Sequence, residues 1–589
     1  MTSHPPTQLR AHVAPAAISK TSRFFNASLS DIMTELLQNA RRAGATRIHV
    51  TEREGRITVA DDGCGVTDPA TLLAFGQSGW DRATASLEDP AGMGFFALSR
   101  RGCDVYSRSA GAARGWTATI TSEAFAGKKA AEAWPADLNT VGTSIAFDRD
   151  DKIDADLDRV ITRAALYFPV KVEALIFTGN ADTPWRAIAI AQKDFLHNAR
   201  RVVAWRPQPQ EAIAARIGVI EQPRYGDDPT VNFQGVTIAA KTPRLSQELG
   251  GPTLQAVFDL ISAAGVELVL PARKEVVETP HWLALNKAGL DALYAHVAAQ
   301  PHHTLSFADY VDARARGHKL GEAKPFLRPW SPSTANDNSF DIADASVWTP
   351  EPAALIVDFD GEAIDEQHFA RAIQGVAFAG ALFDACPAYK GYTWYDAIGR
   401  VTDVLWILEV GGDRLFLKDL KGDDASDNGE DWRPFSAGDG EAFAAPDTII
   451  MRIVIARGDT IETHDIETDV ILMGDGYSAE EYVVLQSRAA RASRTLTPDH
   501  LADLMINCGF VHSDDCEADS AETQRRNYAI AAYAHACSVL LGKDEGDLAF
   551  IREHAEASLA WTCPSDRRVV ITIDGGKVSA SFADRAAAP

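Results

Sequence analysis

TELLQNARRAGATRIHVTEREGRITVADDGCGV, Thr34 to Val66, is the stretch on which the fold turns. With Ile32 just upstream, its first part has apolar residues at Leu36, Leu37 and Ala40, the spacing of one buried helix face, with Ser28 or Ser30 as a cap and Gly44 as a stop. RIHVTE and GRITVAD then alternate as two strands joined at Glu54-Gly55. The last part, DDGCG, sets a carboxylate and two glycines at the end of an apolar strand, a turn with little purpose in a purely structural hairpin. Glu35 and Asn39 are four residues apart, so a helix projects both from one face. A carboxylate there can polarise a water, and the neighbouring carboxamide oxygen suits a hard cation such as Mg2+. Asp61, buried at a strand end, can accept a hydrogen bond from an exocyclic amine such as that of adenine.

Working outward, residues 76–94 are rich in Gly, Ser and Asp and are expected to form a long loop. PAGMGFFALSRR puts Gly92 and Gly94 immediately before an expected helix, where free backbone N–H groups can cradle phosphate. CDVYSRS, WTATITS and TSIAFDR follow as strands, the last opened by Gly142-Thr143, whose hydroxyl can reach a base edge. From 151 onward a helix (DADLDRVITRAALYF) leads into apolar strands (VEALIFTG, AIAIAQ, VTIAA, VELVLPA), and LQAVFDLISAAG and HWLALNKAGLDALYAHVAA are expected to be helical. A Pro-, Ser- and Asn-rich connection follows. The expected domains are 1–150, 151–320, a linker at 321–352, a strand-rich acidic domain at 353–480, and a mainly helical region at 481–589 that closes with the hairpin RRVVITIDGGKVSASF.

The order ELLQNA, DDGCG, GMGF and GTSI resembles the GHKL ATPases: gyrase, the ninety-kilodalton heat-shock chaperone, histidine kinases and MutL. The resemblance covers about the first 150 residues; AGATRIHV is most similar to MutL, and GMGFFALSRRGCDVYSRS to the chaperone. It implies an N-terminal Bergerat-type α/β sandwich ATPase domain and a second α/β transducer domain; with the mixed strand-rich and helical C-terminal half read from its own pattern, the chain is expected to be α+β. Carried onto these residues, it implies that Glu35 is the general base, Asn39 holds Mg2+, and Asp61 binds the adenine amine of ATP. Gly63 and Gly65 would allow close approach of the nucleotide. Gly92, Met93 and Gly94, with Phe95 beside them, would form the hinge and phosphate-binding end of a lid, and Thr143 would support the adenine site. Asp62 departs from the Asn usual in MutL-like members. VELVLPARKEVVET is similar to the MutL segment whose lysine reaches the γ-phosphate, which gives that task to Arg273 or Lys274. The resemblance further implies closure of a lid over roughly residues 76–92 and homodimerisation on ATP binding through the arm 1–25. The position of the pocket, behind only a short arm, disfavours the histidine-kinase branch.

Bulk properties bound the rest. At 589 residues the chain exceeds a single core, so about three or four domains are expected. A net charge of −25 gives no electrostatic reason for binding bulk DNA and favours an unknown protein partner or client. Seven scattered cysteines suit a reducing compartment, and no run approaches the roughly 20 apolar residues of a membrane span, so a cytoplasmic protein without membrane contact is expected. Three functions follow as expectations: an ATP-driven conformational switch acting on a protein, a MutL- or topoisomerase-like DNA-processing or defence ATPase, and a nucleotide-gated scaffold whose hydrolysis is incidental. In the C-terminal half, Cys508, His512, Cys516, His535 and Cys537 have metal-ligand types but fit no standard zinc spacing. The pairs Asp358/Asp360 and Asp514/Asp515 are expected to be ordinary acidic turns.

Overall fold

The computed structural model describes residues 28–77, 79–80, 92–150, 156–180, 183–226, 228–262, 266–268, 275–334, 346–347, 351, 353–359, 361–374, 380–417, 445–473, 478–511, 521–559, 567–574 and 577–583. The chain is mixed α+β and divides into two compact units. The first takes Met1–Gln247, Gly251–Leu305 and Asp309–Gly321; the second takes Glu248–Gly250, Ser306–Ala308 and Glu322–Pro589.

In the first unit, α1 (Leu29–Arg42) begins at Ser28, whose extended backbone lets Oγ accept the Asp31 N–H at 3.2 Å. Leu29, Ile32, Met33, Leu36, Leu37 and Ala40 are buried, and Gly44 follows the helix in the left-handed region at φ 73°. β1 (Arg47–Arg53) and β2 (Arg56–Asp61) alternate between buried and open positions. They are joined by β3 (Cys103–Arg108), β4 (Gly115–Ile120), β5 (Ala133–Ala136), β6 (Gly142–Asp148), β7 (Lys171–Phe177) and β8 (Trp185–Ile188) in one sheet ordered β5-β4-β3-β6-β2-β1-β7-β8. Every neighbouring pair is antiparallel except β1 and β7. α1 and α2 (Leu157–Ala165) share one core with the sheet: Leu36, Leu37, Val160 and Ile161 pack with Ile48, Val59, Val105 and Phe147. The sheet therefore runs on to Ile188, past residue 150, because β7 pairs in parallel with β1.

A second sheet in the same unit is built from β9 (Arg201–Trp205), β10 (Ala215–Ile220), β11 (Val231–Phe233), β12 (Val236–Ile238), β13 (Arg244–Leu245) and β14 (Leu254–Leu260), ordered β12-β11-β14-β10-β9 with β13 also on β14. Here one expectation is corrected. LQAVFDL is not a helix but β14, flanked by strands and buried at all seven positions. A strand covered on both faces loses its alternation, and its continuous apolar run reads equally well as a helix. HWLALNKAGLDALYAHV is a helix as expected, α3 (Pro280–Val297), capped by the Thr279 hydroxyl and packed on β14, where Gly289 admits the Phe258 ring.

In the second unit the expected linker begins as part of the fold. β15 (Phe326–Leu327) pairs with β16 (Ser346–Val347), Pro329 bridges to Phe383, and the Trp330 N–H donates to Leu382 O at 3.0 Å. Its main sheet runs β18 (Leu382–Asp384), β17 (Leu355–Val357), β19 (Gly399–Val410), β21 (Thr448–Arg457), β22 (Thr460–Thr468), with β20 (Asp413–Phe416) on β19. α4 (Ala363–Ala372) seats Phe369 between Trp330 and Phe359. β23 (Val470–Met473) and β24 (Val483–Gln486) form a hairpin that packs with α5 (Pro498–Gly509) and α6 (Ala521–Leu541); α7 (Lys543–Leu559) and the hairpin β25 (Arg568–Asp574)–β26 (Lys577–Ala583) close the chain.

His368 on α4 is buried and its Nε2 accepts the Leu472 N–H at 2.9 Å. Burial lowers its pKa to about 4, and the amide occupies the lone pair that a proton would take. Because the folded value lies below the usual 6.5, the unfolded chain takes up the proton first. Stability is therefore intact above pH 6.5 and is lost as pH falls from there toward 4, by on the order of 3 kcal/mol. In His368→Gln the amide oxygen can replace Nε2 without titrating, so thermal melts across that window should show a flatter pH dependence than the wild type.

Candidate nucleotide site

The turn after β2 is fastened to both ends of its surroundings. Cys64 N–H donates to Ala43 O at 2.8 Å, behind the C-terminus of α1, and Ala110 N–H donates to Cys64 O at 3.0 Å, beyond β3. A Cβ on Gly63 would lie 2.7 Å from Ala43 Cβ. Gly65, at φ 71°, sits against the Arg108 carbonyl, where a side chain has neither room nor a relaxed backbone. The two glycines thus serve the chain's own close packing, a reason that the sequence reading did not give.

Asp61 is half-buried at the end of β2. It accepts the Gly63 N–H at 2.9 Å and the Thr143 N–H, yet burial outweighs both bonds and holds its pKa above the ordinary carboxylate value; the charge of Asp62 adds to the rise. Thr143 lies opposite Asp61 in the β2–β6 register, and its hydroxyl is 3.0 Å from Ser107 Oγ. Ser107, fully buried, accepts the Val66 N–H at 2.8 Å and donates to Gly142 O at 3.2 Å, so one hydroxyl ties together the turn, β3 and β6. Sequence reasoning missed it. The signal was present: in Cys103-Val105-Ser107 the inward positions of β3 end on a small polar residue.

Glu35 and Asn39 are half-buried on α1. Asn39 Oδ1 accepts from Arg42 Nη1 at 3.2 Å. Gly94 lies so close to the Glu35 carboxylate that any Cβ on it would collide with that group. The helix expected in FFALSRRG is instead a single 3-10 segment, Gly94–Leu98. Its aromatic side chains turn inward, with Phe95 and Phe96 each 5.5 Å from the Phe125 ring. Phe95 therefore contributes core packing, while Met93 packs against that core from a half-buried position. The Gly76 N–H donates to Gly92 O at 3.0 Å, which holds these two glycines together. Residues 78 and 81–91 of that loop, the arm 1–25, and Arg273 and Lys274 lie outside the described residues.

From Asp61 the contacts lead through Gly63 to Ala43, back along α1 to Asn39 and Glu35, and on to Gly94. Glu35 and Ala43 are separated by about 12 Å along the helix axis. The Asp61 turn and Glu35 thus lie toward opposite ends of one helix. Among the described residues, no three His, Cys, Asp or Glu side chains converge to hold a metal ion. A Mg2+ here would depend on the Asn39 carboxamide and on phosphate oxygens of the nucleotide.

Asp62, left without a role by the sequence, has a structural one. Its carboxylate accepts the Thr46 N–H at 2.7 Å, the Thr46 hydroxyl at 2.6 Å and the Arg47 N–H at 2.9 Å, clasping the start of β1. The Thr46 hydroxyl and the Arg47 amide hold its pKa below 3.8, so this support is present above that pH and fades as pH falls below it. Asp62→Ala should lower stability by about 1–2 kcal/mol in denaturant titrations at neutral pH, a difference that shrinks below pH 3.8.

Some of the other candidates lie among the described residues. Asp358 pairs with Arg400 at 3.0 Å, and His535 Nε2 lies 3.1 Å from Tyr482 O. Cys508 and Cys537 are buried, and burial pushes the Cys508 thiol up to about 12. Asp360, His512, Asp514, Asp515 and Cys516 lie outside the described residues. A cavity of about 700 Å³, lined among others by Tyr167, Lys193, Arg216 and Gln234, includes neither Asp61 nor Glu35 in its lining. Its polar floor is internally satisfied, with Asp259 bonded to both Arg216 and Asn232. No helix among the described residues is long and apolar enough to cross a membrane.

No protein-family model matches the sequence, and no curated protein does. Among solved structures, the chain is similar to the crystal structure of the N-terminal domain of a DNA repair protein, over 51% of this chain and 99% of that one, at 12% identity and a TM-score of 0.32. That likeness is too slight to bear on fold or function.

Proposed function

We propose that this chain is an ATP-binding and ATP-hydrolysing conformational switch of the GHKL type, with a Bergerat-type first sheet, acting on a protein partner or client. The observation that carries the reading is Asp61: a half-buried carboxylate with a raised pKa, held by backbone amides at the end of β2, close to the helix that bears Glu35 and Asn39. Asp61 accepts the adenine amine, with Thr143 at its side. Glu35 takes the proton of the attacking water. Asn39 helps to hold Mg2+, which neutralises phosphate charge when bound. Arg273 or Lys274 supplies a cation to the γ-phosphate. Closure of the segment between Gly76 and Gly92, with pairing of two chains through their N-terminal arms, converts nucleotide state into shape, and hydrolysis reverses it.

Equilibrium binding of ATP and GTP tests the pocket. A carboxylate acceptor at Asp61 favours the 6-amine of adenine over the 6-oxo group of guanine, so ATP should bind at least about 100-fold more tightly. Equal affinities, or none for either nucleotide, would remove the reading. Turnover stimulated by DNA would move it toward the DNA-processing branch.

A further inference from the structure

Gln38 stands three residues after Glu35 and one before Asn39, yet it faces a different partner. It is 2% exposed, and both ends of its amide are engaged. Oε1 accepts from Arg41 Nε at 3.3 Å and Nη2 at 3.0 Å, which orients Nε2 to donate to Gln234 O at 2.8 Å. Gln234 and the following Gly235 both have positive φ, 52° and 95°, and form the two-residue turn between β11 and β12. That turn is rigidly held. The Gly235 N–H donates to Asn232 Oδ1 at 3.1 Å, a Cβ on Gly235 would lie 3.1 Å from Phe168 Cα, and the Gln234 side chain donates to Ile261 O at 2.9 Å. Asn232 in turn donates to Asp259 at 2.6 Å, and Arg216 links Asp259 to Asp194.

We infer that Gln38 is a positioning residue: its hydrogen bond to the β11–β12 turn makes the second sheet set the place of Glu35 and Asn39, so that turnover depends on the docking of that sheet. The inference rests on the ATPase reading for its effect on rate. The buried Gln38 Nε2 donates to Gln234 O, and a buried donor strongly disfavours losing its acceptor, so a shift of the turn carries α1 with it or breaks the bond. A general base tolerates little displacement, which makes rate more sensitive than binding to such a shift.

The test compares Gln38→Glu with Gln38→Leu. Glutamate keeps the shape and the Arg41 contact but turns an acceptor toward the Gln234 carbonyl; protonation restores a donor. ATP affinity within about threefold of wild type, kcat lower by about 10- to 100-fold, and recovery of the Glu variant relative to wild type as pH falls from about 8 to about 5 are expected, with no such recovery in the Leu variant. Unchanged kcat in both variants would overturn the inference. So would binding and turnover that fall together with the folded fraction, which marks a merely structural residue. Hydrogen exchange without nucleotide separates this from failure of the ATPase reading: in Gln38→Leu the α1 and β11–β12 amides should exchange faster together, and unchanged exchange at the turn would contradict the coupling even if the wild type proves not to hydrolyse ATP.

Discussion

Glu35→Ala is expected to bind ATP within about threefold of wild type and to turn it over at least about 100-fold more slowly, since a positioned general base contributes roughly that much or more. The structural grounds are its place and its neighbour. Glu35 is half-buried on the face of α1 that also bears Asn39, and its carboxylate lies against Gly94, which lacks the side chain that would displace it. The hydrogen bonds at Asp61 run to Gly63 and Thr143, and Thr143 in turn meets Ser107, at the other end of α1 from Glu35. Binding and turnover should therefore separate. Glu35→Gln, which keeps the shape beside Gly94, should show the same separation with less change in stability.

Asp61→Asn should have the opposite signature. Affinity for ATP should fall by at least about 100-fold, because the Asn oxygen stays with the backbone amides that Asp61 accepts, and its NH2 group offers a second donor to the ligand's amine. Stability of the unliganded protein at pH 7 should be equal or higher. Burial raises the Asp61 pKa, so the folded chain binds its proton more readily than the unfolded one, and keeping this group ionised opposes folding. That penalty is complete once pH exceeds the raised value and absent below 3.8, where both states are protonated. The stability advantage of the Asn variant should thus grow as pH rises from 3.8 and then level off. A variant that loses both affinity and stability at pH 7 would show that the carboxylate serves the fold rather than a ligand.

Local features of this site were readable in the sequence because they rest on short-range physics. The Ser28 cap, the apolar face of α1 and the alternation of β1 and β2 depend on neighbours within a few residues. β14 was misread for an equally local reason, since seven buried positions erase the period that separates strand from helix. Ser107 and Gln38 were not found because their partners are set by topology. Ser107 meets Thr143 only once β3 and β6 pair, and Gln38 meets a carbonyl 196 residues downstream. The two glycines of DDGCG were assigned to a ligand, yet their room is taken by Ala43 and Arg108 of the same chain. A glycine in a motif signals a close approach without naming what approaches.

The most direct test is Mg2+-dependent release of phosphate from ATP by the wild-type protein, measured beside Glu35→Ala at nucleotide concentrations that saturate both. Slow, Mg2+-dependent turnover in the wild type that drops at least about 100-fold in Glu35→Ala, with ATP still bound, is the expected result. Saturable ATP binding with equal turnover in the two proteins, or no ATP binding by the wild type, would contradict it.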